Sequence, residues 1–268
     1  MERGFTLVIP LYNKVNVFRN TLDSVLNNHG EYPFKCLIID DDSTDGSSEI
    51  AIEYDRKCPD IFQYIKKTHR GHPGPSFARN TGIRLAETEY IGFLDCDDEI
   101  CPGFIDRACT FLDEHPEYSM YCNGNIENKV DQDGNILSFD VKYTTANIDN
   151  MMSFVHSMIH PDAQVHFCGS VYRTDIVNEI MFNDVYGEDI DFMLRYYYYH
   201  PNIYIDDTTC QSIIHNTHYS DSNAWYRVRH PEYPPFYEIL NTLKDEIPDL
   251  PYTFWFDENE EIYYQVIR

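Results

Sequence analysis

In the first hundred residues, short apolar runs alternate with helix-patterned segments, and two of those runs end in clusters of aspartate. Phe5 to Ile9 is an apolar run closed by Pro10 and reads as a buried strand. Phe18, Leu22, Val25 and Leu26 then recur with the spacing of one helix face, and Gly30 and Pro33 end that helix. Lys35 to Ile39 is a second strand, running into Asp40, Asp41 and Asp42. A short helix through Ile50, Ala51 and Tyr54 follows, then a third strand from Ile61 to Ile65. The Gly/Pro/His stretch from His69 to Pro75 is a loop, and Ala78 to Ala86 is helical. Tyr90 to Leu94 is the fourth strand, ending in Asp95, Cys96, Asp97 and Asp98, and Pro102 opens another helix. This alternation predicts an α/β fold with a mainly parallel, Rossmann-like central sheet flanked by helices. Ligands of such sheets bind outside the carboxyl ends of the strands, where both aspartate clusters fall.

The second half is less regular. Asp131 to Gly134 reads as a hairpin turn in a polar stretch, Asn150 to Ile159 as helical, Val165 to Tyr172 as a strand and Asp189 to Tyr199 as a helix. From Trp225 onward prolines and aromatics dominate, which reads as an extended, packed appendage. The expected division is 1–110 for the ligand-binding part, 111–222 for a smaller part of the same domain, and 223–268 for the appendage.

Several function classes are disfavoured. Forty-five acidic against 20 basic residues give a net charge of -25, and such a surface repels nucleic-acid phosphates and anionic headgroups, so general nucleic-acid binding is not expected. The Gly-rich dinucleotide fingerprint and the P-loop pattern are both absent. The 8 cysteines form no zinc-type spacing and read as reduced thiols. No apolar run approaches the ~20 residues of a transmembrane helix, and Met1 leads into the first strand without a leader, so a cytoplasmic chain is expected.

Four segments carry chemistry. Asp95, Asp97 and Asp98 crowd together after a buried strand, where they repel one another unless a divalent cation neutralises them. Mn2+ or Mg2+ held there would bridge to a diphosphate, although an acidic turn in water also fits. Asp41 suits a hydrogen bond from a base or ribose, and Ser43, Thr44 and Asp45 suit capping of the next helix. Arg79 enters a helix after a loop and suits phosphates, a base or a surface ion pair. Glu188 and Asp189 open a helix, either as electrostatic caps or as a general base beside an acceptor hydroxyl.

Taken in order, Val8 to Asn13, Ile38 to Gly46, Ala78 to Gly82, Gly92 to Asp98 and Glu188-Asp189 resemble the family 2 glycosyltransferases, which have the GT-A fold. The resemblance implies inverting transfer of a sugar from a nucleotide-sugar donor, most often a UDP-sugar, to a glycan, lipid-linked glycan or other hydroxyl acceptor. It implies that Pro10, Tyr12 and Asp41 line the base site and that Arg79 closes over the nucleotide. Asp95 and Asp97 match the element that holds ribose and metal, with Asp97 and then Asp98 as metal ligands and His218 as a further candidate. Asp189 matches the catalytic base, with Glu188 beside it. One departure is Asp42, where the family has Gly; its carboxylate either crowds the nucleotide or faces solvent. Tyr196 to Tyr199, Trp225 and Trp255 suit either an acceptor platform or packing. A nucleotidyltransferase of related fold would carry a Gly-rich signature where Pro10 to Lys14 stands, and a degenerate sugar- or nucleotide-binding module need not keep Asp97 and Asp189.

Overall fold

The computed structural model describes residues 1–28, 30–67, 74–130, 136–142, 148, 154, 165–184, 187–218, 252–256 and 262–266. Strand β1 (Glu2–Leu11) is central. It pairs in parallel with β2 (Phe34–Asp40) on one side and with β4 (Thr88–Phe93) on the other, and β3 (Phe62–Lys66) pairs in parallel with β2. Its residues from Gly4 onward are all buried, as a parallel strand covered on both faces requires. The helices α1 (Phe18–Leu26), α2 (Ser47–Lys57), α3 (Ser76–Leu85) and α4 (Phe104–Glu114) follow the first, second, third and fourth parallel strands.

The strand order β3-β2-β1-β4 contains the reversal that makes a binding crevice. The chain moves outward from β1 through β2 to β3, then returns to the opposite side of β1 as β4. The switch point therefore lies beyond the carboxyl ends of β1 and β4, and the residues that leave those strands form its walls.

Beyond β4 the sheet changes character. Strand β8 (Ser170–Arg173) is antiparallel to β4 and to β6 (Met120–Val130), and β7 (Ile136–Lys142) is antiparallel to β6. Strand β9 (Ile203–His218) runs parallel to β6 and pairs at its far edge with the short β5 (Glu99–Ile100). The mainly parallel character expected holds without interruption from β3 to β4, and the rest of the sheet is mixed. Helices α5 (Thr174–Ile180) and α6 (Glu188–Tyr199) lie between β8 and β9 in the chain. A separate antiparallel pair, β10 (Tyr252–Phe256) and β11 (Ile262–Val266), is what is described of the appendage. The strand expected from Val165 begins at Ser170 as β8. The expected turn at 131–134 and most of the expected helix at 150–159 lie outside the described residues.

Two packing details locate the motifs. Gly82 of α3 faces Val8 of β1 so closely that a β-carbon there would fall 2.3 Å from Val8 Cγ1. That glycine lets α3 lie against the central strand. Thr21 and Ser24 of α1, and Asn28 just beyond its end, point at the segment after β4. Thr21 Oγ1 donates to Cys96 O at 3.0 Å, Ser24 Oγ accepts from Ile100 N–H at 3.0 Å, and Asn28 Nδ2 donates to Cys101 O at 3.0 Å. The acidic segment is thereby fixed to a helix of the sheet's first half. Among the described residues no helix is long and apolar enough to cross a membrane, and all seven described cysteines are free.

Candidate active site

The loops that leave β1 and β2 are stitched together. Asn13, in a left-handed conformation at φ 50°, donates its N–H to Ser43 Oγ at 3.1 Å, and its Oδ1 accepts from Thr44 N–H at 2.8 Å. Lys14 N–H donates to Ser47 Oγ at 2.9 Å and Val15 N–H to Asp45 Oδ2 at 3.0 Å. Asp45 also accepts from the N–H of Ser47, which opens α2, so part of the expected capping role is met.

Asp40 anchors this pair of loops from below. It is fully buried, and accepts from Ser43 N–H at 2.9 Å, from Tyr64 OH at 2.7 Å and from the Ser48 hydroxyl. Burial acts to raise its pKa, but the hydrogen bonds from Ser48, Ser43 and Tyr64 outweigh that and hold the carboxyl below its usual range. Asp41, the next residue, is half-buried, and its N–H donates to Leu11 O at 3.0 Å. Asp42 takes up the left-handed conformation at φ 66°, which is why glycine suits that place. Its carboxylate is exposed and pairs with Lys66 Nζ at 2.9 Å, so it faces solvent.

Across the switch point, Lys14 Nζ from the β1 loop meets Asp97 Oδ2 from the β4 end at 2.6 Å. Beside it, the buried guanidinium of Arg79 joins two acids. Nη2 donates to Asp95 Oδ1 at 2.9 Å and Nη1 to Glu188 Oε1 at 2.6 Å, while the guanidinium carbon lies 4.8 Å from the centre of the Phe167 ring. Asp98 is buried, and its N–H donates to Asp95 O at 3.0 Å. Donor atoms of Asp95, Asp98 and the buried Cys168 lie within 4.8 Å of one another. Burial, with Asp95 and Asp98 nearby, pushes the Cys168 thiol well up, so it stays protonated and is a poor ligand for a hard cation. The aspartate oxygens of this corner suit Mg2+ or Mn2+.

Gly187, at φ 70°, turns the chain into α6 and delivers Glu188 and Asp189 at its first turn. Asp189 Oδ1 accepts from Ile190 N–H at 2.9 Å. Burial raises the pKa of both carboxyls, and the positive charge of Arg79 opposes the rise. Each acid's neighbours add to it: Asp189 for Glu188, and Asp95 for Asp189.

The structure therefore brings together Arg79, Asp95, Asp98, Glu188 and Asp189, with Asp97 linked to Lys14. Tyr12 stands exposed at the end of β1, its ring available for stacking, whereas Pro10 is buried within the strand. Arg79 is a buried bridge between acids. Tyr196 and Tyr197 are buried, and Tyr196 OH donates to Ser119 O at 2.7 Å, so these two rings are core packing; Tyr199 is exposed. His218 ends β9, but its side chain lies outside the described residues, as do His69, His72, Trp225 and the Trp255 side chain. Sequence reasoning missed Lys14 and Cys168, and it placed Asp40 in an aspartate cluster without giving it a role of its own. Asp40 was signalled by its place directly after a buried run; Lys14 and Cys168 carried no signal.

The family model for glycosyl transferase family 2 matches residues 6–181. The chain belongs to that family. Among curated family relatives, it is 36% identical over 112 residues to the minor teichoic acid biosynthesis protein GgaB of Bacillus subtilis (strain 168), which covers 41% of this chain and 12% of that protein. It is 33% identical over 120 residues to the uncharacterized glycosyltransferase YibD of Escherichia coli (strain K12), covering 45% of this chain and 33% of that one. The matches thus span a third or less of these relatives. Among solved structures, Staphylococcus aureus TarS 1-349 in complex with UDP-GlcNAc superposes with a TM-score of 0.65 at 21% identity, over 92% of this chain and 67% of that one. The mannosyltransferase PcManGT from Pyrobaculum calidifontis, in complex with GDP-Man and Mn2+, gives 0.63 at 16% identity, over 91% and 65%. At these identities the likeness establishes the fold, which is the GT-A type.

Proposed function

We propose that this family 2 chain transfers a sugar from a nucleoside-diphosphate sugar, in first place a UDP-sugar, to an acceptor hydroxyl with inversion at the anomeric carbon. The observation that carries the reading is the Asp95–Arg79–Glu188 bridge. It sets the acid-bearing first turn of α6 against the acidic end of β4 at the sheet's switch point, where a donor belongs.

Residues 1–110 bind the donor in this reading. The Tyr12 ring stacks on the base, Pro10 shapes the strand end beneath it, and Asp41 accepts from the base N–H. Asp95 faces the ribose, and Arg79 holds that acid in place from within the protein. Asp97 and Asp98, with His218 as a third candidate, would hold a divalent cation, Mn2+ or Mg2+, whose positive charge would offset that of a diphosphate leaving group. For Asp97 this requires Lys14 to release it. Residues 111–222 bring the acceptor, and Asp189 takes the proton from its hydroxyl as that oxygen attacks the anomeric carbon. Partial burial makes Asp189 a stronger base than an ordinary aspartate, and Glu188 beside it is tied to Arg79. Residues 223–268 form the appendage. The relative named for teichoic acid biosynthesis supports a role in polysaccharide biosynthesis, and the free cysteines among the described residues fit a cytoplasmic location.

Thermal unfolding of the purified chain against nucleoside diphosphates and nucleotide-sugars, with and without Mn2+, tests the reading. A ligand that binds only the native state raises the midpoint. A Mn2+-dependent rise with UDP or a UDP-sugar is expected. No rise with any nucleotide would remove the donor site.

A further inference from the structure

Arg79 and Asn80 are consecutive on α3, yet they grip opposite ends of one segment. Arg79 holds Glu188 at 2.6 Å. Asn80 holds Phe182: its Nδ2 donates to Phe182 O at 2.8 Å, and its Oδ1 accepts from Phe182 N–H at 2.8 Å. One carboxamide thus satisfies both backbone groups of Phe182, as a neighbouring strand would. Ser76, one turn earlier, donates from Oγ to Asn183 O at 2.9 Å.

The same segment is held from α6. Arg195 donates to Ile180 O at 2.8 Å and to Met181 O at 2.9 Å, capping α5 where Met181 turns into a left-handed conformation at φ 52°. Arg195 is itself paired with Asp191 on its own helix at 2.6 Å. The Phe182 ring stacks on Phe192 of α6, with centres 4.3 Å apart, and lies 5.5 Å from the Arg79 guanidinium carbon. Arg195 and Phe192 therefore bind the segment to the helix that carries Glu188 and Asp189. Asn80 and Ser76 bind it to the helix that carries Arg79.

The geometry points to Asn80 as a positioning residue for the Glu188–Asp189 pair, fixing α6 against α3 and so the acid against the donor end of the sheet. This rests on the proposed role of Asp189 as base. Both amide atoms of Asn80 are taken up by Phe182, so its removal is expected to lower turnover without weakening nucleotide binding. A displacement of about 1 Å at a reacting group costs up to about 100-fold.

The test uses the full chain and two readouts: UDP affinity by calorimetry with Mn2+, and UDP release from UDP-GlcNAc with water as acceptor. Asp189→Asn is the reference. Asn80→Ala is expected to keep UDP affinity within about two-fold and the donor KM unchanged while kcat falls about 10-fold or more. Ser76→Ala, the milder change, is expected to lower kcat by about three-fold, and it carries the test if Asn80→Ala does not fold. Normal kcat in the folded variant, with Asp189→Asn inactive, overturns the proposal alone. A loss of UDP affinity that matches the loss of kcat overturns it too, because the effect is then on donor binding. Unchanged UDP release in Asp189→Asn removes the base assignment and the proposal with it.

Discussion

Arg79 Nη1 and Glu188 Oε1 lie 2.6 Å apart although 109 positions separate them in the chain. The contact closes the site, because the other arm of the same guanidinium reaches Asp95 at 2.9 Å. Little water reaches Arg79, and the Phe167 ring covers one face of its guanidinium. Removing it takes the positive charge from between Asp95 and Glu188, with Asp189 adding to the repulsion. Arg79→Ala is expected to cost about 3 kcal/mol of stability, the range for breaking a buried ion pair on one side. Arg79→Lys rescues only part of this, since an ammonium cannot serve two acids in the fixed geometry of a guanidinium fork. Chemical denaturation measures both, and a cost below about 1 kcal/mol for alanine would show that the bridge is a solvated contact.

Asp189 couples activity to pH. Burial raises its pKa, so it takes up a proton at a pH where an ordinary aspartate, near about 3.9, is still ionised. A base works deprotonated, so activity is lost as pH falls through the raised value, and the acid limb of kcat/KM lies higher than an ordinary aspartate would place it. Asp189→Asn should remove that limb and lower turnover by about 100- to 10,000-fold while leaving UDP affinity intact. The linkage sign gives a second readout. A carboxyl raised by folding contributes stability that is full below its unfolded pKa and lost as pH rises through the folded one. Above that raised value the ionised Asp189 is therefore a cost, and Asp189→Asn should gain stability relative to the parent as pH rises. A variant that is less stable at pH 7 and equally stable at pH 4 would reverse the sign and sink the account.

Gly82 gives a test of packing. In an exposed helix interior, Gly→Ala stabilises by about 1 kcal/mol. Here the added methyl would sit 2.3 Å from Val8 Cγ1 and 2.6 Å from Cγ2, on a buried β-branched side chain of the central strand. Overpacking of this kind costs about 1–3 kcal/mol, so the sign is expected to reverse. A raised melting temperature for Gly82→Ala would mean that α3 can move away from β1 without loss.

How far the sequence could be read follows from these cases. The run from Phe5 to Ile9, the helix face of Phe18 to Leu26 and the strand from Tyr90 are dominated by apolar periodicity, and the structure follows each closely. Strands β6 and β9 escaped because Asn123, Gly124, Asn125 and Glu127 in the one, and Asp206, Asp207, Thr208 and Thr209 in the other, break the apolar pattern. Their identity as strands comes from long-range pairing with one another. At the site, the acids were legible as clusters, but their partners were not. No local pattern shows that Lys14 reaches Asp97, or that Arg79 turns inward to two acids. Asn80 sits in a segment matched to the family, yet its bond to Phe182 joins elements about a hundred residues apart and leaves no mark on the local sequence.

Asp42 sets three small terms against one another. Its left-handed conformation costs about 1 kcal/mol, less than for most residues because a short polar side chain tolerates it. Replacing it by glycine relieves that cost, loses about 0.5 kcal/mol or less from the exposed pair with Lys66, and adds a backbone entropy penalty of about 0.5–1 kcal/mol. The sum is close to zero. Asp42→Gly is expected to change stability by less than about 0.5 kcal/mol and UDP affinity not at all, while Asp42→Val should cost about 1–2 kcal/mol. A gain or loss of UDP affinity in Asp42→Gly would place the carboxylate against the nucleotide.

Asp97 separates metal dependence from folding. Its pair with Lys14 is partly exposed, with side-chain exposures of 18% and 34%, so it contributes about 1 kcal/mol or less to stability. Asp97→Ala should therefore unfold within about 1 kcal/mol of the parent when no metal is added. With Mn2+ present the two should differ. The donor diphosphate and the remaining acids would face one another without a cation between them, so the Mn2+-dependent rise in melting temperature with UDP should vanish in Asp97→Ala, and EDTA should abolish it in the parent. If Asp97→Ala keeps a Mn2+-dependent rise of the parent's size, the cation is held by other groups, with Asp98 first among those described. If EDTA leaves the parent's UDP affinity unchanged, Lys14 and its neighbours hold the diphosphate without a metal, and metal assistance is removed from the mechanism.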